Sequence, residues 1–175
     1  MTQITTATGT VNQMGPLRKI VAAFVEAQRK VLTAGVSSPS DWAPMAEFLA
    51  VAEFKRVGAY LEQFNYAQYC EFMTGWAAGG TRFEMTEFYS TEVGNAVFQE
   101  IEERHYRGEN FIRKNVIAVY RFNTDNKIVH LDIYEQARDS GDWIKQAANT
   151  ATSGPHSSLK RAGAIGIPGT SERPR

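Results

Sequence analysis

Acids, a cation and a histidine recur in one stretch of this chain at intervals that suit proton transfer. Glu100-Ile101-Glu102, Lys114 and His130-Leu131-Asp132 fall on three successive segments in which apolar and polar residues alternate. Alternation marks a strand, whose every second side chain shares a face, so these groups can converge on one cavity. A carboxylate walled by aromatics has its charged form disfavoured, and it then exchanges a proton near neutral pH. Asp132 lies between Leu131 and Ile133 and needs a partner wherever it is buried. His130, two residues earlier, shares its face and supplies an orienting contact. Lys114 inside a pocket stabilises an oxyanion or keeps Glu102 ionised; on a sheet edge it is a solvated lysine. For Glu100 and Glu102 the plainer alternative is a pair of solvated charges. The register read here turns His130, Asp132 and Tyr134 inward and leaves Val129, Leu131 and Ile133 as an apolar outer face. In that register Asp132→Asn removes most turnover, whereas Glu103→Gln, on the opposite face, is nearly silent.

Aromatic residues supply the wall. Tyr69, Trp76, Phe98, Tyr120 and Tyr134 are mostly core, as aromatics are everywhere, yet an aromatic pocket with few polar groups suits a flat substrate bearing hydroxyls. Tyr60, beside a bend at Gly58, is the candidate hydroxyl donor, and Arg56 the candidate holder of a phenolate or carboxylate, with a plain surface arginine as the commoner alternative. The catalytic candidates are thus Asp132, Glu102, His130, Lys114 and Tyr60. The substrate-binding candidates are Glu100, Arg56, Tyr69, Trp76, Phe98, Tyr120 and Tyr134. His105, His130 and His156 are too widely spaced for a metal motif, and no phosphate-cradling glycine pattern occurs, so the chemistry is expected to need no cofactor.

The elements that must position these groups follow from periodicity. Leu17, Ile20, Val21, Phe24 and Val31 recur at helical spacing after Gly15-Pro16. Ser38-Pro39-Ser40-Asp41 leads into a short second helix carrying Trp42, Met45, Phe48 and Leu49. The stretch from Glu53 to Glu62 reads as a short strand with a bend. Asn65 caps a third helix through Tyr66, Tyr69, Phe72, Met73 and Trp76, which Gly79-Gly80 stops. Strands then run over Arg82 to Thr91, Asn95 to Tyr106, Phe111 to Phe122 and Lys127 to Gln136, separated by hairpin signals. Helices followed by a meander give an α+β domain over 15–147, between a flexible N-terminus (1–14) and a flexible or subunit-wrapping tail (148–175). Nineteen basic residues balance nineteen acidic ones without a basic stripe, which argues against nucleic acid. No apolar run or leader pattern indicates a membrane or secretion, and the lone Cys70 forms no internal disulfide, which points to the cytoplasm. The apolar outer strand face predicts a homodimer or homotrimer.

The element order, the Gly94-Asn95-Ala96-Val97 strand start, the Val119-Tyr120-Arg121-Phe122 strand and the closing run from Asn126 to Tyr134 resemble the nuclear transport factor 2-like superfamily in its SnoaL-like branch, over roughly Leu17 to Gln136. The resemblance implies a conical sheet with N-terminal helices packed on its concave face and a pocket between them. It also implies small-molecule chemistry: lyase or dehydratase action on a hydroxylated aromatic, including cleavage of aryl-propane diols with loss of formaldehyde. Epoxide hydrolysis, steroid-type isomerisation and plain ligand binding are the alternatives. Beside the epoxide hydrolases of that superfamily, Glu100 and Glu102 stand where an Arg-x-Asp element is found and Asp132 stands near the final aspartate, so the central arginine is missing.

Overall fold

The computed structural model describes residues 15–78 and 82–136. The expectations for 1–14, for Gly79-Gly80 and for 148–175 fall outside them. The first helix, α1, spans Pro16–Ala34 and buries Leu17, Val21, Phe24 and Val31 along one side. Proline suits this start, because its missing N–H is one that a first turn leaves unpaired anyway. The second helix is a 3-10 segment, Pro39–Phe48, with Pro44 inside it. Proline clashes with the preceding turn of an α-helix, which explains the tighter winding. The Asp41 carboxylate accepts the Ser37 and Ser38 backbone N–H groups at 2.8 and 2.9 Å and fixes its start. Helix α2, Tyr66–Ala78, opens on a reciprocal box: Asn65 Oδ1 accepts the Gln68 N–H and Gln68 Oε1 accepts the Asn65 N–H, each at 3.0 Å.

The strands are β1 (Lys55–Val57), β2 (Gln63–Phe64), β3 (Arg82–Val93), β4 (Ala96–Arg107), β5 (Asn110–Phe122) and β6 (Ile128–Glu135). They form one sheet in the order β2-β1-β6-β5-β4-β3, antiparallel except where β1 runs parallel to β6. Gly94 and Gly108, with φ of 60° and 58°, open the two hairpin loops, where a side chain would be strained. The helices cover one face of the sheet. Phe24, Trp42 and Met45 from the helices meet Val97, Ala118, Tyr120 and Leu131 from the strands in a single core, so the α+β class read from the sequence is the class the chain adopts. Cys70 is a buried free thiol within that core. No helix among the described residues is long and apolar enough to cross a membrane.

One strand departs from its predicted register. Arg121 pairs with His130 but Phe122 pairs with Ile128, so Val129 is an extra residue on β6. This bulge reverses the alternation. Ile128 and Leu131 both enter the core, and His130, Asp132 and Tyr134 turn to the outer face. The expected outer stripe of Val129, Leu131 and Ile133 is therefore corrected: Leu131 is core, and Ile133 packs against it.

Helix α1 has no side-chain cap of its own; Gly15 occupies the cap position. Its first turn is instead closed from the sheet. Glu92 Oε2 on β3 accepts the Leu17 and Arg18 N–H groups at 3.0 and 3.2 Å. A side chain on Gly15 would overlap that carboxylate. A charge at the positive end of a helix that also pairs its orphan donors is worth about 1 kcal/mol. Glu92→Ala is expected to lower stability by roughly that amount in urea titration, with Gly15→Ala destabilising as well, since the added Cβ displaces the same carboxylate.

Candidate functional site

A cavity of about 600 Å³ lies between the helices and the inner face of the sheet. Phe72, Met73 and Trp76 of α2, Phe83 and Met85 of β3, and Leu131 and Ile133 of β6 make it largely apolar. Its polar groups come in pairs. On β4 Glu103 and His105 stand two residues apart on the inner face, with His105 Nε2 3.0 Å from Glu103 Oε2. The imidazole is flanked by Trp76 and Phe83, with ring centroids 5.7 and 5.2 Å away. Lys114 on β5 is the direct cross-strand neighbour of Glu103, and its Nζ donates to Glu135 Oε1 at 2.6 Å. His105, Glu103, Lys114 and Glu135 thus form a continuous polar strip across three strands, all lining the cavity.

Arg56, Tyr69 and Tyr120 are further polar groups of the lining, with Gln28, Arg29, Glu84 and Arg104 beside them. Arg56 Nη1 donates to Glu62 Oε1 at 3.0 Å, and the guanidinium carbon lies 5.8, 5.6 and 5.0 Å from the ring centroids of Phe64, Tyr69 and Phe72. The close approach of Glu62 requires Gly58, where a Cβ would overlap the carboxylate and sit 2.6 Å from Arg56 Nη1. The Tyr69 hydroxyl accepts Gln28 Nε2 from α1 at 2.8 Å. Burial pushes Tyr69 up to about 12, although Arg56 and Gln28 pull the other way, so it remains a protonated donor. Burial likewise raises Tyr120, whose hydroxyl donates to Gln99 Oε1 at 3.2 Å; Gln99 in turn donates to Glu87 Oε2 at 2.6 Å.

Five of the residues chosen from the sequence line this cavity: Lys114, Arg56, Tyr69, Trp76 and Tyr120. Seven do not. Glu102 faces outward between Arg104 Nη1 at 2.6 Å and Arg113 Nε at 2.7 Å, because the alternation that turns Ile101 and Glu103 inward turns Glu102 out. Glu100 and Phe98 lie on the same outer face. The Val129 bulge places His130, Asp132 and Tyr134 there too. Asp132 contacts Arg121 and sits 2.8 Å from His130 Nε2; burial alone would raise its carboxyl, but these two partners hold it below the usual carboxylate range. That is a paired, ionised acid rather than a poised base. Tyr60 is 90% exposed on the turn after Gly58.

Glu103, His105 and Glu135 line the cavity but are not among the residues the sequence singles out, and the register read from the sequence puts Glu103 on the opposite face. A signal for the first two was present. Val97 and Ile101 are the apolar residues of β4 that must enter the core, and even spacing carries their face on to Glu103 and His105.

No family model and no curated protein matches the chain. Solved structures do match in fold. A candidate SnoaL-like polyketide cyclase from Shewanella denitrificans OS-217 superposes with a TM-score of 0.57 at 10% identity, over 75% of this chain and 99% of that one. AclR, a candidate hydroxylase from Streptomyces galilaeus, gives 0.53 at 12% identity over 78% and 98%. An NTF2-like protein of unknown function from Exiguobacterium sp. 255-15 gives 0.52 at 11% identity over 65% and 98%. Such identities speak for architecture, and architecture alone does not fix chemistry. With its helices on one face of a six-stranded mixed sheet and a cavity between, the chain has the NTF2-like fold.

Proposed function

We propose that this domain is a cofactor-independent acid-base enzyme, a lyase or dehydratase acting on a small hydroxylated aromatic compound. The observation that supports it is the inward-facing Glu103–His105 pair beside the Lys114–Glu135 pair, set in an aromatic wall. Ionised Glu103 selects the imidazole tautomer with the proton on Nε2, which leaves Nδ1 as the basic atom. The Lys114 ammonium, held by Glu135, is the matching acid.

In an aryl 1,3-diol, His105 takes the proton of the primary hydroxyl. The carbon–carbon bond to that carbon breaks as formaldehyde forms, and its electron pair becomes a new carbon–carbon double bond. The benzylic hydroxyl departs as water with a proton from Lys114. Base and acid then re-equilibrate through solvent, so the net products are an alkene, formaldehyde and water. For a simple dehydration the same base removes a carbon-bound proton instead. Trp76 and Phe83 hold the flat rings and exclude water, which strengthens the electrostatic interactions inside the cavity. The single buried thiol of Cys70 accords with a reducing, cytoplasmic setting.

Glu103→Gln keeps the shape of the pair but removes its negative charge. Turnover of aryl diols or hydroxylated aromatics, followed by aldehyde release or alkene absorbance without added cofactor, should fall about a hundredfold or more. Asp132→Asn on the outer face should stay within about threefold of the parent, on the scale of a substitution remote from the chemistry. A panel that is bound but never converted would sink the enzyme reading and leave a ligand-binding domain.

A homo-oligomer belongs to the same reading, with its contact residues revised. Tyr89, Glu100, Ile117 and Tyr134 lie side by side across β3, β4, β5 and β6, and Phe98 occupies the next row. Tyr89, Phe98, Ile117 and Tyr134 are exposed, and together they offer an apolar patch around Glu100 suited to a second copy. Light scattering at micromolar concentration should give a dimer or trimer for the parent and a monomer for Ile117→Asp; a monomeric parent contradicts the idea.

A further inference from the structure

Arg56 is one of the few charged residues in the core, 9% exposed, and it makes a single side-chain hydrogen bond, from Nη1 to Glu62. Its Nε and Nη2 groups have no side-chain partner of this kind, and since no buried side-chain nitrogen or oxygen among the described residues lacks a hydrogen bond, that edge is accessible rather than sealed in the wall. Phe64, Tyr69 and Phe72 offer it ring faces, which attract the cation but do not accept in-plane N–H bonds as an oxygen does. The Nε and Nη2 protons point along one edge of the guanidinium with the spacing of the two oxygens of a carboxylate. Beside it, the Tyr69 hydroxyl already accepts from Gln28, so its own proton is left to donate. Both residues line the same cavity as Glu103 and His105. The distal groups of a bound aromatic and its reacting end therefore lie within one enclosure.

We infer that Arg56 and Tyr69 form a carboxylate-recognition subsite, so that the compound taken into the cavity is an aromatic acid docked through its carboxylate on the Nε–Nη2 edge of Arg56. The inference rests on the cavity being the substrate site, and it adds the ionic group that the substrate carries. Burial makes the preference steep. A neutral ester or amide would leave a guanidinium edge unpaired in an apolar wall, whereas a carboxylate pairs both N–H groups and accepts from Tyr69 as well. Glu62 takes Nη1, Gly58 makes room for that contact, and the Nε–Nη2 edge is left for the ligand.

Calorimetric titration of the full chain with trans-cinnamate, its methyl ester, its amide and 4-nitrophenolate tests this. Cinnamate should bind at least about tenfold more tightly than the ester or amide, the usual margin for a charge-assisted pair at a buried site. Arg56→Lys, which keeps the charge but loses the fork, should erase most of that preference, and Tyr69→Phe should reduce it severalfold, both with native-like circular dichroism. Equal binding of acid, ester and amide by the parent protein overturns the inference, and that comparison needs no variant to fold. Retention of the full preference in Arg56→Lys overturns it, and so does capture of 4-nitrophenolate alone. Turnover is not measured, so a failure here leaves the acid-base reading standing. Conversely, an inert cavity that still selects carboxylates would remove that reading and keep this one.

Discussion

Two backbone registers meet at Val129, and the site depends on how they join. Side chains of a strand alternate with a period of two, so an inserted residue exchanges the faces of everything beyond it. Ile128 is fully buried and Leu131 nearly so, although an odd interval of three separates them. Strict alternation cannot bury both. The bulge does, and the gain is a large apolar side chain in the core in place of a histidine and an aspartate. Beyond it Leu131, Ile133 and Glu135 face the cavity. The polar residues left outside find Arg121 on the neighbouring strand.

Charge in the cavity is arranged in the same economy. A lone carboxylate or ammonium in an apolar wall carries a desolvation penalty of several kcal/mol, and Glu103, Lys114 and Arg56 each have a polar partner close by. Such pairs contribute little net stability. What they provide is position: Glu103 orients His105, Glu135 holds Lys114, and Glu62 holds Arg56. The helices complete the enclosure. Glu92 ties the first turn of α1 to β3, and farther along the same helix Gln28 donates to Tyr69 of α2.

Much of the fold was legible from local pattern. Helical spacing placed α1, and Asn65 marked the start of α2. Alternation and the glycine turns placed β3 to β6 to within a few residues, because those features are set by neighbours close in sequence. The second helix was expected from the same spacing, but its 3-10 winding, for which Pro44 is the physical reason, was not. Arg56, Lys114, Tyr69, Trp76 and Tyr120, offered from the sequence as candidates beside plainer surface or core readings, line the cavity.

The sequence by itself determined the order of the elements, the α+β class and the supply of acids, bases and aromatics along the last strands. Only the tertiary structure decided which of those acids share a cavity. Glu102 and Glu103 are adjacent, and nothing local distinguishes them; the burial of Val97 and Ile101 against the helices turns Glu103 inward and leaves Glu102 to the outer arginines. For β6 the choice lay further still from local pattern, since the bulge at Val129 answers to the packing of Ile128 and Leu131 beneath α1 and the 3-10 segment. A side chain's face is a property of what its strand must bury, and that is fixed by residues a hundred positions away.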